Sequence, residues 1–122
     1  MVKDRFNEYF TKLYKHLAES YPDLQKTTKY TLKPAMFPVM YMRQIGGIIK
    51  ADTLSNTSEL RMIGIEVQFF STKQNDVRKL ADTAIGFMVE TLFFKCTYAS
   101  PEENMDDTNI FRFICRFEKL DT

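Results

Sequence analysis

Residues 2–21 carry apolar side chains at the i, i+3, i+4, i+7 spacing that is typical of a helix with one buried face. Charged residues occupy the positions between them. Pro22 disfavours helix at the residue before it, so the helix is predicted to end there. The single histidine, His16, falls on the polar rim of this helix and is expected at the surface. The apolar side consists of Val2, Phe6, Tyr9, Phe10, Leu13, Tyr14, Leu17 and Tyr21.

A second, more apolar helix is predicted over residues 75–95. Asn75 can accept a hydrogen bond from a free backbone N–H of the first turn, and Lys95 suits the negative C-terminal end. Gly86 weakens a helix by about 1 kcal/mol relative to alanine, which predicts the close approach of another backbone. The apolar stripe consists of Val77, Leu80, Ala81, Ala84, Ile85, Met88, Val89 and Leu92, widened by Phe87 and Phe94. A stripe this broad predicts a β-sheet beneath it.

Strand-like segments make up most of the remaining chain. Four strands are predicted, at residues 39–45, 61–71, 96–100 and 109–120. Gly46-Gly47 is expected to break the first strand, so residues 46–60 are interpreted as a long hairpin connection that could extend both strands briefly. Pro101 is expected to end the third strand. Residues 23–33 are polar, show no clear period and predict no regular element.

Two of these strands alternate clearly between an apolar and a mixed face. The apolar set of the second strand is Ile63, Ile65, Val67 and Phe69, opposite Met62, Gly64, Glu66, Gln68 and Phe70. The apolar set of the last strand is Phe111, Phe113, Cys115 and Phe117, opposite Arg112, Ile114, Arg116 and Glu118. The apolar sets are expected to lie beneath the second helix.

The predicted order of elements is α-β-β-α-β-β. Both strand pairs are local in sequence, which predicts two antiparallel hairpins in a four-stranded antiparallel sheet with the helices packed on one face, an α+β fold. The 122 residues suit a single domain over residues 1–122, and no internal repeat or domain boundary is present.

Charge and composition narrow the classes of function. Seventeen basic and sixteen acidic residues give a net charge of +1. The sequence therefore lacks the excess of basic residues with which proteins usually bind the phosphates of nucleic acid. The sequence contains no run of 18 apolar residues, so no membrane span is predicted. The first residues lack the apolar region of a signal peptide. Cys96 and Cys115 are therefore expected to be reduced, buried thiols in a cytoplasmic protein.

No motif in the sequence indicates a catalytic, metal or cofactor site. Gly46-Gly47 lacks the lysine and hydroxyl residue of a phosphate loop, and one histidine is too few for a usual structural zinc site. The acidic segment 102–107 lacks the spaced ligands and glycine of a calcium loop, so it is interpreted as a solvated turn. We predict no catalytic residue, metal ligand, cofactor or small-molecule substrate.

The mixed face of the sheet is the candidate interaction surface, because apolar residues left outside a single helix layer favour a partner. The candidate subunit or partner contacts are Ile48, Ile49, Met62, Phe70, Ile110, Arg112, Ile114 and Arg116. A second helix layer or a curled sheet that hides these side chains is an equally weighted alternative.

The assembled pattern resembles the tail terminator, or tail-completion, proteins of long-tailed bacteriophages and prophages. The resemblance rests on the 2–21 helix, the Phe37-Pro38 step before a strand, the run IGIEVQFFST leading into NDVRKLADTAIGFMVETL, and the closing segment NIFRFICRFEKL. It covers most of the chain, but it consists of patterns of polarity, and a related head–tail connector could share them.

The resemblance implies a structural protein and not an enzyme. Such a protein forms a ring of six subunits on the end of the tail tube, stops tube growth and presents a surface to the head-side connector. Its implied partners are other copies of itself, the tail tube protein and the connector, with nucleic acid only passing through the ring. It would act in the cytoplasm of the host bacterium and then at the tail–head junction of the virion.

Two other classes of function remain open from the sequence. A small α+β nucleic-acid-binding domain could use aromatic side chains of the sheet to stack bases. A small enzyme or ligand-binding domain would need a deep polar pocket that holds His16 or Glu66 against another ionisable group.

Overall fold

A computed structural model describes residues 5–29, 36–51, 59–103 and 109–121 of the chain. Its elements in order are α1 (Phe6–Ser20), β1 (Gln25–Thr27), β2 (Val39–Ala51), β3 (Glu59–Ser71), α2 (Gln74–Gly86), a π-helical turn (Phe87–Thr91), β4 (Lys95–Glu102) and β5 (Phe111–Asp121). Among the described residues, no helix is long and apolar enough to cross a membrane.

The strands form one mixed sheet in the order β1-β2-β3-β5-β4. The α+β class and the antiparallel β2–β3 and β4–β5 hairpins are as predicted. The expectation that Pro101 ends the third predicted strand is wrong, because β4 continues through Pro101 to Glu102 and both residues pair with β5. The four-stranded, all-antiparallel sheet is wrong, because β1 adds a fifth strand that runs parallel to β2. β5 lies between β3 and β4, so the last described strand is central and β4 is an edge of the described sheet.

β1 lies in the polar stretch for which the sequence predicts no element. It pairs Gln25–Thr27 with Val39–Tyr41 through the backbone, and a strand of three residues is too short to show a period. The buried Leu24 anchors its start, since Tyr14 Oη donates to the Leu24 carbonyl at 2.8 Å. Tertiary contacts therefore form this strand without a local sequence signal.

The β2–β3 hairpin is longer than predicted. β2 runs past residue 45 and through Gly46-Gly47 to Ala51, and β3 starts at Glu59. A register shift between Gln44 and Gly46 accommodates the glycines without ending the strand. Of the connection predicted at 46–60, residues 52–58 lie outside the described part of the chain.

α1 ends at Ser20, directly before Tyr21 and Pro22, as predicted. Its buried side chains are Tyr9, Phe10, Leu13 and Leu17, whereas Val2 lies outside the described residues.

The predicted helix 75–95 is shorter and divided. The α-helix stops at Gly86, a π-helical turn follows, and Lys95 is already the first residue of β4. The N-cap is Lys73 and not Asn75, without a side-chain cap hydrogen bond. A run of apolar residues does not distinguish α from π geometry, and the tight return into β4 requires the helix to end early.

The main core lies between the helices and the inner face of the sheet, which we define as the face that carries Ile63, Ile65, Val67 and Phe69. These side chains are at most 1% exposed, as predicted. Phe113 and Phe117 of β5 join the same apolar cluster as Leu80, Ala84 and Met88, whereas Phe111 is 37% exposed. Burying each large apolar side chain contributes about 1.5–3 kcal/mol. Both cysteines are free thiols, with Cys115 buried and Cys96 half-buried.

The space beside Gly86 contradicts the close backbone approach expected there. A Cβ atom added at this residue would meet no atom within 4 Å beyond its own helix and chain neighbours, and its backbone is right-handed helical. We predict that Gly86→Ala raises the free energy of unfolding by about 0.5–1 kcal/mol, because alanine reduces the entropy of the unfolded chain. Urea denaturation of both proteins measures the difference, and a loss of stability would contradict this account.

Candidate functional site

The face of the sheet that the helices leave uncovered, called the outer face below, holds a buried carboxylate. Glu66 lies in the middle of β3 and is only 1% exposed. Its partners in register are Arg43 on β2 and Arg116 on β5. Directly opposed residues on neighbouring strands have Cβ atoms about 4.5–5.5 Å apart, so strand register alone places one acid between two bases.

Both carboxylate oxygens of Glu66 accept hydrogen bonds. Arg43 Nε donates to Oε1 at 2.9 Å, and Arg116 Nε donates to Oε2 at 2.8 Å. Gln68 Nε2 donates to Oε1 at 2.8 Å, while the Gln68 Oε1 atom accepts from Arg112 Nε at 3.0 Å. The resulting network, which we call the Glu66 network, joins β2, β3 and β5 on the outer face.

The network keeps Glu66 ionised. Burial alone raises the pKa of the carboxyl, but hydrogen bonds from the two arginines and Gln68 outweigh burial and lower the pKa from 4.5 to about 2. A general base must accept a proton near the working pH, and Glu66 has neither the pKa nor an unengaged oxygen for this. The geometry fits a structural role better than a catalytic one.

An open concavity of about 380 Å³ lies over the network. The side chains of Arg43 and Arg116 are 51% and 43% exposed there, and the Arg116 guanidinium lies 5.0 Å from the centre of the Tyr98 ring. Three arginines, including Arg112, surround one carboxylate, so the concavity favours an anionic group over a cationic one.

The eight predicted contact residues are not equally available. Phe70, Ile110 and Ile114 are 1%, 7% and 6% exposed, and the first two belong to a small apolar cluster separate from the main core. This cluster joins Phe70 and Ile110 to Val39 and Tyr41. These three side chains are therefore hidden within the chain, which was the equally weighted alternative, and are not left outward.

The other five candidate contacts lie nearer the surface or at the ribbon formed by the ends of β2 and β3. Met62, Arg112 and Arg116 are half-buried, and both arginines belong to the Glu66 network. Ile48 and Ile49 pair through the backbone with Met62 and Arg61, but their side chains lie outside the described part of the structure.

The outer face also bears on the nucleic-acid hypothesis. Base stacking needs exposed aromatic rings. Tyr41 and Phe70 are buried, and Tyr98, which is 36% exposed, already has Arg116 over its ring. The described aromatic side chains of this face therefore offer little stacking surface.

His16 lies far from the Glu66 network, on α1 against the other face of the sheet. Its ring stacks on Phe87 with centroids 4.4 Å apart and an interplanar angle of 17°. Lys12, Lys15 and Glu19 surround it in a shallow surface depression. This stack makes His16 half-buried, and the site lacks the depth of a ligand pocket. Within the described ranges, no group of three or more His, Cys, Asp or Glu side chains could hold a metal ion.

The loop between the π-helical turn and β4 presents an aromatic side chain that the sequence did not single out. Phe93 is 75% exposed and has a φ of 63°, a left-handed conformation that is strained for a bulky residue. Its neighbours Leu92 and Phe94 are buried and fix the backbone. Phe94 N donates to the Met88 carbonyl at 2.8 Å, and Lys119 Nζ donates to the Leu92 carbonyl at 2.7 Å. The large apolar side chain of Phe93 is thus exposed to solvent between two neighbours that burial and hydrogen bonds hold in place.

Comparisons with known proteins add no family to this description. No protein-family model matches the chain, and a search of curated proteins finds no match.

The Glu66 network generates a stability prediction. Glu66→Gln is expected to lower the free energy of unfolding by roughly 1–3 kcal/mol, because two arginines lose their buried carboxylate partner. Urea denaturation near neutral pH measures this loss without screening the charges.

The matched control is Glu8→Gln on α1. Hydrogen bonds from Arg5 and Lys12 also lower the pKa of Glu8 to about 2, but this carboxylate lies at the surface, so we expect a smaller loss. Equal losses in the two variants would show that burial of Glu66 contributes nothing.

The same network predicts an acid-sensitive component of stability. The folded-state pKa of Glu66 lies below its unfolded value, so its contribution to stability is complete above about pH 4.5 and is lost as the pH falls towards about 2. As the pH is lowered through this window, the free energy of unfolding should fall less steeply for Glu66→Gln than for the parent protein. Parallel curves would contradict the assignment.

Proposed function

We propose that this chain is a structural protein of a long-tailed bacteriophage or prophage that assembles as a ring, caps the tail tube and joins it to the head-side connector. The observation that carries the proposal is the open β4 edge. β4 has eight residues, Lys95–Glu102, and within the described sheet it pairs with β5 alone. A strand edge of this length offers a row of backbone donors and acceptors to another chain.

The surroundings of this edge support self-association. Thr97, Tyr98, Ala99 and Pro101 of β4 are exposed, and the exposed ring of Phe93 lies two residues before the strand. Monomeric proteins usually protect edges with charges, prolines, bulges or covering elements, and in β4 Lys95, the register shift near Cys96 and Pro101 limit pairing at the two ends of the strand. The middle of the edge is thus suited to contact another chain of the assembly.

The long β2–β3 ribbon supports the contact with the tube. β5 pairs with β3 as far as Arg61, opposite Asp121, whereas Lys50 and Ala51 still pair with Leu60 and Glu59 beyond that point. The ribbon therefore continues past the end of β5 and can reach a surface that the globular part does not touch. We assign it to the tail tube or the adjacent subunit, with the connector on the opposite side of the ring.

The order of elements also fits the resemblance. A helix, a strand after the Phe37-Pro38 step, a second helix on the sheet and a closing aromatic-basic strand all occur in the expected sequence. In this assignment the protein is present in the host cytoplasm during assembly and at the tail–head junction afterwards. DNA passes through the ring and is not specifically bound.

The direct test is the state of the purified protein. We expect rings in negative-stain electron microscopy and a mass by light scattering near six times the 14.4 kDa of one chain. A protein that stays monomeric at its highest soluble concentration, and also with purified tail tubes, would overturn the proposal.

The second test is genetic. Deleting the gene from its phage or prophage should give tails of uncontrolled, excessive length that fail to join heads. Tails of normal length that still join heads would rule out the assigned role, whereas a gel shift with single-stranded nucleic acid at low salt would favour the nucleic-acid alternative.

A further inference from the structure

We propose that Phe93 of one subunit inserts into a pocket between α2 and β4 of the next copy of the same chain. This contact rests on the proposed ring and specifies how its subunits join. It is head to tail, with two different surfaces of one chain in contact.

The receiving pocket lies at the start of α2 and the end of β4, and we call it the α2–β4 pocket. Its volume is about 340 Å³. Apolar side chains form part of its wall and charged ones its rim. The lining residues that matter here are Val77, Ile110, Phe111 and Pro101 in the wall and Arg78 and Glu103 at the rim.

The pocket is large enough for one phenyl ring. An engineered protein cavity of about 150 Å³ holds benzene, so a concavity about twice that size accepts a benzyl side chain together with part of its backbone. The Phe111 side chain is 37% exposed beside it and would be covered by an incoming ring. An aromatic anchor in a pocket of this kind is typical of the strongest contacts in protein interfaces.

The same subunit cannot fill its own pocket. Phe93 precedes β4, while the pocket lies at the other end of that strand, and the seven steps from Lys95 to Glu102 span about 23 Å. Along the helical layer, the twelve steps from Arg78 to Glu90 span about 18 Å. Both routes place the ring and the pocket at opposite ends of the molecule.

Charges beside the ring and the pocket are complementary. Glu90 of the π-helical turn lies on the helical side of Phe93, and Lys95 lies on its strand side. At the pocket the charges have the opposite signs, because the basic Arg78 lies on the helical side and the acidic Glu103 follows the strand. Two copies placed end to end in one orientation therefore bring Glu90 towards Arg78 and Lys95 towards Glu103.

A contact between two different surfaces has a defined consequence for assembly. Each subunit inserts its Phe93 side chain into one neighbour and accepts the Phe93 side chain of the other neighbour in its own pocket. Such a contact generates a closed ring of subunits when the rotation between copies closes. A symmetric dimer would instead satisfy both surfaces at once and stop there.

The first variant is Phe93→Asn. Asparagine accepts the left-handed backbone at this position better than phenylalanine does, so folding should be maintained or improved while the ring side chain is lost. We expect the dissociation constant between subunits to rise at least about 30-fold, as for a central interface residue. Light scattering over a dilution series measures it, with thermal unfolding as the check on folding.

The matched control is Ile45→Asn. This removes another exposed apolar side chain, 41% exposed, on β2, which β3 and β5 separate from β4 and from the proposed contact. Its assembly should equal that of the parent protein. Equal loss of assembly in both variants would show a general dependence on apolar surface and would overturn the proposal.

Mixing two variants tests the head-to-tail geometry. Gln74→Trp places a large side chain at the pocket mouth and blocks it, and like Phe93→Asn it should be monomeric alone. Mixed together, the blocked subunit still offers its Phe93 and the other still offers its pocket. We expect a one-to-one heterodimer that does not grow further. No association in the mixture would contradict this contact.

Reversed charges provide an independent measurement. Glu90→Lys alone should weaken association about twofold to fivefold, and adding Arg78→Glu in the same chain should restore it. Additive weakening in the double variant would contradict the pairing of these two residues.

The outcomes also separate this contact from the wider proposal. If Phe93→Asn still forms unchanged rings of subunits, the Phe93 contact is overturned and the proposed ring assembly stands. A parent protein that never associates, with or without tail tubes, would overturn both.

Discussion

Side chains of the central strands alternate between the two faces of the sheet, so one strand register determines the contacts on both faces. The pairing that places Ile65 opposite Phe117 beneath the helices also places Glu66 opposite Arg43 and Arg116 on the outer face. A slip of one residue would turn Glu66 into the apolar core and Ile65 to the outside. The hydrophobic core and the Glu66 network therefore favour the same register of the strands.

This coupling explains which parts of the structure were predictable. The apolar sets of β3 and β5 are long and regular, and the end of α1 is fixed by Pro22, so the sequence alone indicates the inner face, the hairpins and the α+β class. β1 was missed because three polar residues have no pattern, and its pairing depends on β2. The glycines in β2 were misinterpreted because a bulge can absorb them within a strand.

The candidate surfaces were harder to infer for a related reason. The sequence shows that Phe70 and Ile114 face away from the helices, but not that their neighbours on the outer face bury them. Phe93 was hidden inside an apolar run that resembles the end of a helix. Only the early end at Gly86 and the π-helical turn show that its two neighbours turn inward while it turns outward. Strand register and helix termination depend on long-range contacts, which local periodicity does not record.

The central position of β5 has a consequence for the timing of folding. β4 is made before β5, yet its described place in the sheet depends on pairing with β5. Lys119 of β5 also holds the Leu92 carbonyl, beside the exposed Phe93. In a nascent chain, the β4 edge of the described sheet can therefore form only after β5 has been synthesised and inserted. The proposed contacts at this edge would then be closed to chains that still lack β5.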